Sequence, residues 1–571
     1  MKILIILLLS CWLSAFYTAQ LEKDNRAFLE AYEEDIVDDF TIYKTKVFYE
    51  VNYEAKELLQ RAELSKKTYF LLLKAFDMHS KMQNGMFAIL STIEKKQYMR
   101  EHKIYIEALF SATFKSSDIK ETFNRWINYK RTLFDRENLV FLDKSMHAKK
   151  TILEKRKRAL AREYQRSSLH QKEIDVLNKD IVEFEKSLSY DIAQKIKSRV
   201  IDYQELFSVL KSNELYIDFA KIGDFYYIFT LDSQQKIGFK KLDAFRIDTL
   251  IQEIQQERES IIEGSTFANI EKSKKEYGKL YRLIFNQIDI QNKDTLIISP
   301  DGLLTLTPFE AFYSEREKKY LIEKLNISYV PSAKELIKLH YKHFNANKKI
   351  VVFANPNFEY TSSRRDSRGK NFRLLTSTFS RLDGTLIEAK KIQETLLNVT
   401  LFQGKMATEE NLFGVYSPEV LHLATHGFLL KSEEILNPML KSGIVLSGAN
   451  YAIKNRTGEG IITALELSGL NLENTELVVL SACETGVGEI EEAEGVAGIN
   501  RAFMQAGARY IVMTLWSVSD RATATLMESF YQNIRDKKSY GEALREAKIE
   551  MIKNGNSHPY YWSGFVGSGV Y

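Results

Sequence analysis

The chain has 571 residues, which is too long for one ordinary domain and predicts two to four compact units. Its 44% hydrophobic and 27% charged residues are typical of a globular protein and exclude a disordered or fibrous chain. The net charge of +4 is small for this length, so the composition gives no support to a nucleic-acid partner.

Near the start of the chain, Lys2 is followed by an uncharged, mostly apolar run over residues 3–20. This pattern is typical of a secretory signal peptide, and we expect residues 1–20 to be removed from an exported, periplasmic or secreted protein. Two alternatives stay open, namely an uncleaved membrane anchor and lipidation at Cys11. The sequence has two cysteines, so removal of this segment leaves Cys483 alone and excludes an intramolecular disulfide.

Residues 21–199 predict a helical region. All seven prolines and 21 of the 26 glycines, the residues that break helices, lie after residue 299. The apolar spacing favours a helical bundle or degenerate helical repeats. Residues 147–199 contain neither proline nor glycine and are densely charged, which predicts a long helical hairpin. Its basic cluster at residues 155–158 and 162 is interpreted as a solvated helix face, with an acidic or lipid partner as the alternative.

From about residue 213 the sequence predicts strands. Residues 214–243 alternate, are rich in aromatic residues and contain turn signals, which indicates a β-meander. Beyond them, runs of Val, Ile and Leu alternate with helical patterns, which is typical of a largely parallel sheet covered by helices on both faces. The predicted strands of this region are residues 295–300, 327–331, 349–356, 398–404, 419–427, 476–483 and 509–516.

Two predicted strands end in residues that can do chemistry. The strand at 419–427 ends on His426 and Gly427, and the strand at 476–483 ends on Cys483. Because the carboxyl ends of parallel strands share one edge of the sheet, the two side chains face one crevice if the strands are neighbours. The imidazole can then take the thiol proton and produce a thiolate nucleophile.

Other interpretations of these residues stay open. Taken alone, a cysteine at a strand end favours a small buried side chain over a nucleophile. His422 lies in the strand interior, so we expect it to be buried and structural, with a role as the catalytic base as the lesser alternative. A metal site made of His422, His426 and Cys483 lacks the usual spacing of zinc ligands, and we expect no metal and no cofactor.

The motifs around these residues resemble the CHAT family of caspase-like cysteine proteases. The central matches are "LHLATHGFL" at 421–429 and "LVVLSACETGVGE" at 477–489. Further segments resemble the family in the same order, at residues 299–312, 327–336, 494–523 and 560–569. The resemblance implies an α/β caspase-like sandwich, with a largely parallel central sheet flanked by helices, preceded by an all-helical N-terminal domain.

The resemblance also implies roles for parts of the chain. Residues 200–345 correspond to a degenerate caspase-like half and residues 346–571 to the active CHAT domain. His426 and Cys483 correspond to the catalytic dyad. The N-terminal helices correspond to a sensor or docking array, although the repeats of such an array are not legible here.

Four residues are predicted to bind the substrate or the oxyanion. The backbone N–H groups of Gly427 and Cys483 lie where donors to an oxyanion are needed. Asp520 is a candidate to bind a basic substrate residue, with a helix N-cap as the alternative. Glu484 follows the nucleophile and makes the mouth of the site negative, or it lies in a solvated loop. Asn355 stands at another strand end and is a further binding candidate.

The function predicted from these residues is that of a cysteine endopeptidase that forms a thioester acyl-enzyme and is controlled by its helical N-terminal domain. The alternative is a scaffold, either non-catalytic or activated by a partner, that uses a caspase-like domain for protein recognition. The expected partners are a protein substrate and a regulatory protein on the N-terminal helices. We expect no nucleic acid, and a membrane only if the N-terminal segment is retained or lipidated.

Overall fold

The computed structural model describes most of the chain from residue 200 onward and parts of the chain before it. The described residues are 80, 83, 87, 89–113, 118–131, 147–164, 171–195, 200–344, 347–360, 378–430, 435, 437–455, 460–481, 489–491 and 495–570. The predicted signal segment at 1–20, Cys483 and Glu484 lie outside them. The chain divides into two compact units, Met1–Tyr129 and Lys130–Tyr571.

The described part of the first unit is helical, as the fold class predicts. It contains α1 (Thr92–Thr113) and α2 (Ile119–Tyr129). Helix α2 buries Phe123, Trp126 and Ile127 on one face, which is the spacing of an amphipathic helix. The side chain of Asp118 accepts a hydrogen bond from the backbone N–H of Glu121 and so caps the start of the helix.

The second unit begins with two helices where the long hairpin is predicted, α3 (His147–Tyr164) and α4 (Gln171–Lys195). Leucine and isoleucine side chains on both helices form a small apolar core between them. Two residues of the basic cluster pair with acids on α4: Arg156 with Asp180 at 3.2 Å, and Lys157 with Glu185 at 3.0 Å. These basic side chains are thus engaged by the chain's own helices.

The remaining helices connect or flank the strands. They are α5 (Gln204–Val209), α6 (Ala244–Ile262), α7 (Ile270–Ile284), α8 (Ala333–Tyr341), α9 (Asp383–Thr395), α10 (Glu409–Phe413), α11 (Ala449–Asn455), α12 (Ala464–Leu467), α13 (Ile499–Ala506), α14 (Asp520–Arg535), α15 (Tyr540–Lys553) and α16 (Pro559–Trp562).

The described strands belong to one large sheet and three small ones. They are β1 (Glu214–Ile222), β2 (Phe225–Leu231), β3 (Ile237–Asp243), β4 (Thr295–Ser299), β5 (Tyr313–Ser314), β6 (Lys319–Tyr320), β7 (Asn326–Tyr329), β8 (Asn347–Pro356), β9 (Val399–Gly404), β10 (Pro418–Ala424), β11 (Gly427–Leu429), β12 (Ser442–Val445), β13 (Ile461–Thr463), β14 (Leu477–Ser481), β15 (Glu489–Glu491), β16 (Gly495–Ala497), β17 (Tyr510–Thr514) and β18 (Phe565–Gly569).

The large sheet has eleven strands in the order β3-β2-β1-β4-β7-β18-β17-β14-β10-β8-β9. The predicted meander is present as the antiparallel strands β1, β2 and β3 at one edge. All other neighbours in this sheet are parallel except β17 and β18. The prediction of a largely parallel central sheet flanked by helices is therefore confirmed.

The centre of this sheet is buried because its strands are apolar on both faces. Every residue of β14 and of β17 is buried, as continuous Val, Ile and Leu runs predict for a sheet covered on both sides. Helix α9 packs on β8 and on α14, and α14 packs on α15. No helix among the residues that the structure describes is long and apolar enough to cross a membrane.

The sequence prediction of one strand over residues 419–427 is wrong at its end. Strand β10 stops at Ala424, and Gly427 already belongs to β11, which leaves the large sheet and pairs with β12. His426 lies in the short break between them. The apolar run predicts the strand correctly, but its exit into a second sheet depends on pairing with β12, which has no local sequence signal.

A lysine near helix α8 gives a prediction about pH. Lys342 donates to the carbonyl of Gly507 at 3.2 Å, and burial, followed by the charge of Lys338, lowers its pKa from 10.5 to about 8. Between pH 8 and 10.5 the unfolded state binds more protons than the folded state, so this residue makes stability rise with pH. We expect Lys342→Gln to flatten that rise in urea unfolding measured across the window, whereas Lys240→Gln, at an exposed position, should not.

Candidate active site

The strands that precede His426 and Cys483 in the sequence are neighbours. Strands β10 and β14 pair in parallel with Ala424 opposite Ser481 at their carboxyl ends. His426 follows Ala424 by two residues in the sequence, and Cys483 follows Ser481 by two residues. The condition that the two strands be neighbours is therefore met, while Cys483 itself lies outside the described residues.

The ring of His426 is held in one orientation by its surroundings. Its Nε2 lies 2.8 Å from the carbonyl oxygen of Ser380. A carbonyl can only accept, so Nε2 carries the hydrogen, and Nδ1 of the neutral ring carries the lone pair. The rings of Phe358 and Phe379 lie nearby, each with its centroid 5.5 Å from the centroid of the His426 ring. The tautomer shown is the one in which Nδ1 can accept a proton.

The backbone on both sides of His426 is fixed by the small sheet of β11, β12 and β13. The carbonyl of His426 accepts from the backbone N–H of Val445 at 3.0 Å. The hydroxyl of Thr425 donates to the carbonyl of the same Val445. Phe428 and Val445 belong to a separate apolar cluster beneath this sheet. The backbone position of His426 is thus fixed by hydrogen bonds to a neighbouring strand.

His422 is a buried structural residue, as the sequence predicts. It is fully buried in β10, and its Nδ1 lies 2.8 Å from the hydroxyl of Tyr531 on α14. Its Nε2 lies 3.1 Å from Oε1 of Glu388 on α9, although neither atom makes a hydrogen bond of good geometry. The strand and the two helices are joined through this one side chain.

Sequence reasoning missed Glu388, which contacts the carboxyl end of β14. It is 2% exposed, and its Oε2 accepts a hydrogen bond from the hydroxyl of Ser481 at 3.0 Å. The available signal was an acid within the apolar face of α9, since Thr385, Ala389 and Ile392 are the other buried residues of that helix. A buried acid is rarely without a partner, so its position predicted a polar network.

A pocket opens between these strand ends and α9. The space within it that a water molecule can reach is about 30 Å³. Its polar walls include Glu388 and Ser481, and Trp516 contributes an aromatic wall. The complete lining is Leu382, Gly384, Thr385, Glu388, Thr425, Ser481, Thr514, Trp516, Val518, Thr523 and Phe565.

Two of the other predicted binding residues are also placed at this edge. Asn355, at the end of β8, has φ +44° and is 7% exposed. Its backbone N–H donates to the hydroxyl of Thr385 at 2.9 Å, and its Oδ1 makes no hydrogen bond within the described part of the chain. Gly427 begins β11 opposite Ile444. Both backbones therefore lie beside the pocket residues or beside His426.

Asp520 is the first residue of α14 and not its N-cap. The cap is Ser519, whose side chain accepts from the backbone N–H of Ala522. The alternative interpretation of Asp520 as a cap is thus wrong by one residue, because serine at the preceding position serves that role equally well. Glu484 lies outside the described residues.

Comparison with known proteins identifies the family. A family model described as "CHAT domain" matches residues 274–570, just over half of the chain. Human tetratricopeptide repeat protein 28 is 26% identical over 305 residues, which cover 48% of this chain and 12% of that protein. The chain thus corresponds to about an eighth of the length of this curated relative.

Two solved structures are similar to this chain at low sequence identity. The Saccharomyces cerevisiae separase–securin complex has a TM-score of 0.46 at 11% identity, covering 96% of this chain and 43% of that chain. The cysteine proteinase gingipain R has a TM-score of 0.32 at 10% identity, covering 53% and 67% respectively.

Proposed function

The chain belongs to the CHAT domain family, and from this premise we propose that it is a cysteine endopeptidase with His426 as base and Cys483 as nucleophile. The observation that supports the proposal is the parallel pairing of β10 and β14, the two strands that His426 and Cys483 follow in the sequence. The tautomer of His426 supports it, since Nδ1 carries the lone pair that a base needs.

The proposed reaction has two halves. In the first, His426 takes the thiol proton, the sulfur of Cys483 bonds to the carbonyl carbon of the scissile peptide, and the carbonyl electrons move to the oxygen. The C–N bond then breaks, and the imidazolium gives its proton to the leaving amine, which leaves a thioester. In the second, His426 takes a proton from water, the hydroxide bonds to the same carbon, and the C–S bond breaks to release the carboxylic acid and restore the thiol.

The other predicted residues receive supporting roles in this proposal. The backbone N–H groups of Gly427 and Cys483 donate to the oxyanion. Asn355 binds the substrate through its amide, whose buried oxygen has no hydrogen-bond partner in the described part of the chain. Asp520 and Glu484 bind or attract a basic part of the substrate through their negative charge.

Partners and location extend the proposal beyond the site. The substrate is a protein, and a regulatory protein binds the N-terminal helices and controls cleavage. Export by the signal segment at 1–20 places the reaction in the periplasm or outside the cell, with an N-terminal anchor as the alternative. Sequencing the N-terminus of the purified protein tests this location, since export with cleavage predicts a start near residue 20 or 21.

The experiment for the activity is incubation of the full chain with a peptide library, with the cleaved bonds identified by mass spectrometry. We expect cleavage that disappears after alkylation with iodoacetamide, because a capped thiol cannot attack. Cleavage that survives alkylation would exclude a thiol nucleophile. If the chain cleaves no peptide, the result would favour the alternative function, a scaffold that uses this domain for protein recognition.

A further inference from the structure

We propose that Asn450 is a positioning residue for the active-site histidine, and that it acts through the backbone of Phe379 and Ser380. The inference rests on the proposed peptidase function and adds a residue to its machinery. Asn450 lies in the first turn of α11 and is 3% exposed. Its side chain binds the residue directly before Ser380, and the carbonyl of Ser380 is the acceptor for Nε2 of His426.

The side-chain amide of Asn450 binds both backbone groups of Phe379. Its Oδ1 accepts from the N–H of Phe379 at 2.8 Å, and its Nδ2 donates to the carbonyl of Phe379 at 2.9 Å. A backbone N–H can only donate and a carbonyl can only accept, so these partners determine which way the amide is turned. Nδ2 also donates to Oε1 of Glu359 at 3.0 Å. Both hydrogens of this buried amide are thus used to hold neighbouring chain.

The constraint reaches His426 through one peptide group. The carbonyl of Phe379 and the N–H of Ser380 belong to the same planar unit, which Asn450 holds at the carbonyl. Only the two backbone torsions of Ser380 separate that unit from the Ser380 carbonyl, to which Nε2 of His426 donates at 2.8 Å. A displacement of Phe379 therefore moves the acceptor that orients the histidine ring.

Backbone groups near the start of α11 hold the histidine at two further points. The N–H of Asn450 donates to the carbonyl of Phe358 at 2.9 Å, and the ring of Phe358 has its centroid 5.5 Å from that of His426. Five residues before Asn450, the N–H of Val445 donates to the carbonyl of His426 at 3.0 Å. One short stretch of chain, residues 445–450, thus fixes the backbone of the histidine and the acceptor and one aromatic neighbour of its ring.

Helix α11 gives the amide a firm base and also supplies a control. Ala449 and Ala452 are fully buried in the apolar cluster beneath the small sheet. On the exposed side of the helix, Lys454 pairs with Oε2 of Glu359 at 3.0 Å. Glu359 is therefore held by both Lys454 and Asn450, whereas the hydrogen bonds to Phe379 come from Asn450.

The first test needs no catalysis. The full chain is labelled with ¹⁵N-histidine, and the one-bond ¹H–¹⁵N signal of Nε2 of His426 is assigned by its disappearance in His426→Gln. We expect this signal in the wild-type chain, because a hydrogen bonded to the Ser380 carbonyl is protected from exchange with water. We expect its loss in Asn450→Ala. The matched control is Lys454→Gln, which removes the other bond to Glu359 and should preserve the signal.

The second test measures cleavage of a library-derived peptide. We expect Asn450→Ala to lower kcat by about 100-fold, an effect reached when a catalytic group is misplaced by about 1 Å. KM should change little, because Asn450 orients the base and does not bind the substrate. Asn450→Asp keeps the size and the acceptor but cannot donate to the carbonyl of Phe379, so we expect the same losses. Lys454→Gln should leave kcat and KM unaltered.

The outcomes separate this inference from the proposed function. An unchanged ring signal, an unchanged kcat, or a rise in KM alone in the Asn450 variants would overturn the positioning role and leave the peptidase function in place. Urea unfolding shows whether the variants fold, and failure of both to fold would make Asn450 a residue of the fold and overturn the role. Absence of cleavage by the wild-type chain would instead overturn the peptidase function, and the ring signal would then decide whether Asn450 fixes His426.

Discussion

Cys483→Ala is expected to lower kcat/KM for a library-derived peptide by about 10⁴- to 10⁶-fold, the range found when the nucleophile of a covalent hydrolase is removed. Alanine preserves the small volume of the side chain but cannot form the thioester. Progress curves with the full chain measure the effect. The matched control is Cys11→Ala, which makes the same change at the other cysteine and should leave the rate unaltered.

His426→Ala is expected to produce a loss of similar size, because the thiol then lacks the base that accepts its proton. The double variant should be little worse than either single one, since residues that act as one unit have strongly non-additive effects. If the decrease in kcat/KM of the double variant equals the product of the two single decreases, the two residues do not act together. An unchanged rate in either single variant would remove that residue from the mechanism.

The proposed catalytic pair could be inferred from the sequence because each member follows a run that predicts a buried strand. The Val, Ile and Leu residues before Ser481 and around His422 indicate parallel strands, and the residues just after such strands share one edge. Strand pairing then required only that β10 and β14 be neighbours, which the structure confirms. The pattern did not predict that β10 ends at Ala424, because this end depends on the pairing of β11 with β12.

The surroundings of the pair could not be predicted, because they come from distant parts of the chain or from the backbone. Ser380, which orients His426, contributes a carbonyl that every residue possesses. Glu388 precedes its partner Ser481 by 93 residues, and no spacing rule links a helix to a strand at that separation. The same holds for the pairing of Lys548 with Glu310 across 238 residues. Local periodicity predicts which face is buried, but not which buried polar groups meet there.

Lys130 gives the largest expected effect on stability. This lysine is 1% exposed, and its ammonium donates to Asp218 at 2.9 Å, to the carbonyl of Phe219 at 3.0 Å and to the hydroxyl of Ser299 at 2.7 Å. Asp218 and Ser299 lie opposite each other on the neighbouring strands β1 and β4. Burial lowers the pKa of Lys130, and the charge of Asp218 opposes that shift. Lys130 thus links the two strands β1 and β4, although it lies 88 positions before Asp218 in the sequence.

Lys130→Met is expected to lower the free energy of unfolding of the second unit by about 3 to 5 kcal/mol, because it leaves the carboxylate of Asp218 buried without its cation. Urea unfolding of the full chain measures the loss, followed by the fluorescence of the buried Trp516 and Trp562. Lys130→Met combined with Asp218→Asn should recover most of it, since asparagine removes the charge and still accepts from the hydroxyl of Tyr216.

The control for this change is an ion pair at the surface. Lys236→Met breaks a pair with Asp289 whose side chains are 69% and 65% exposed, and it should cost no more than about 0.5 kcal/mol. If Lys130→Met is no more destabilising than this control, the buried pair does not stabilise the strand edge. If the double variant is as unstable as Lys130→Met alone, the loss comes from packing of the lysine stem and not from the stranded charge. Only recovery in the double variant assigns the stability to compensation of the Asp218 charge by Lys130. Without that cation, the carboxylate of Asp218 could not be buried at low cost.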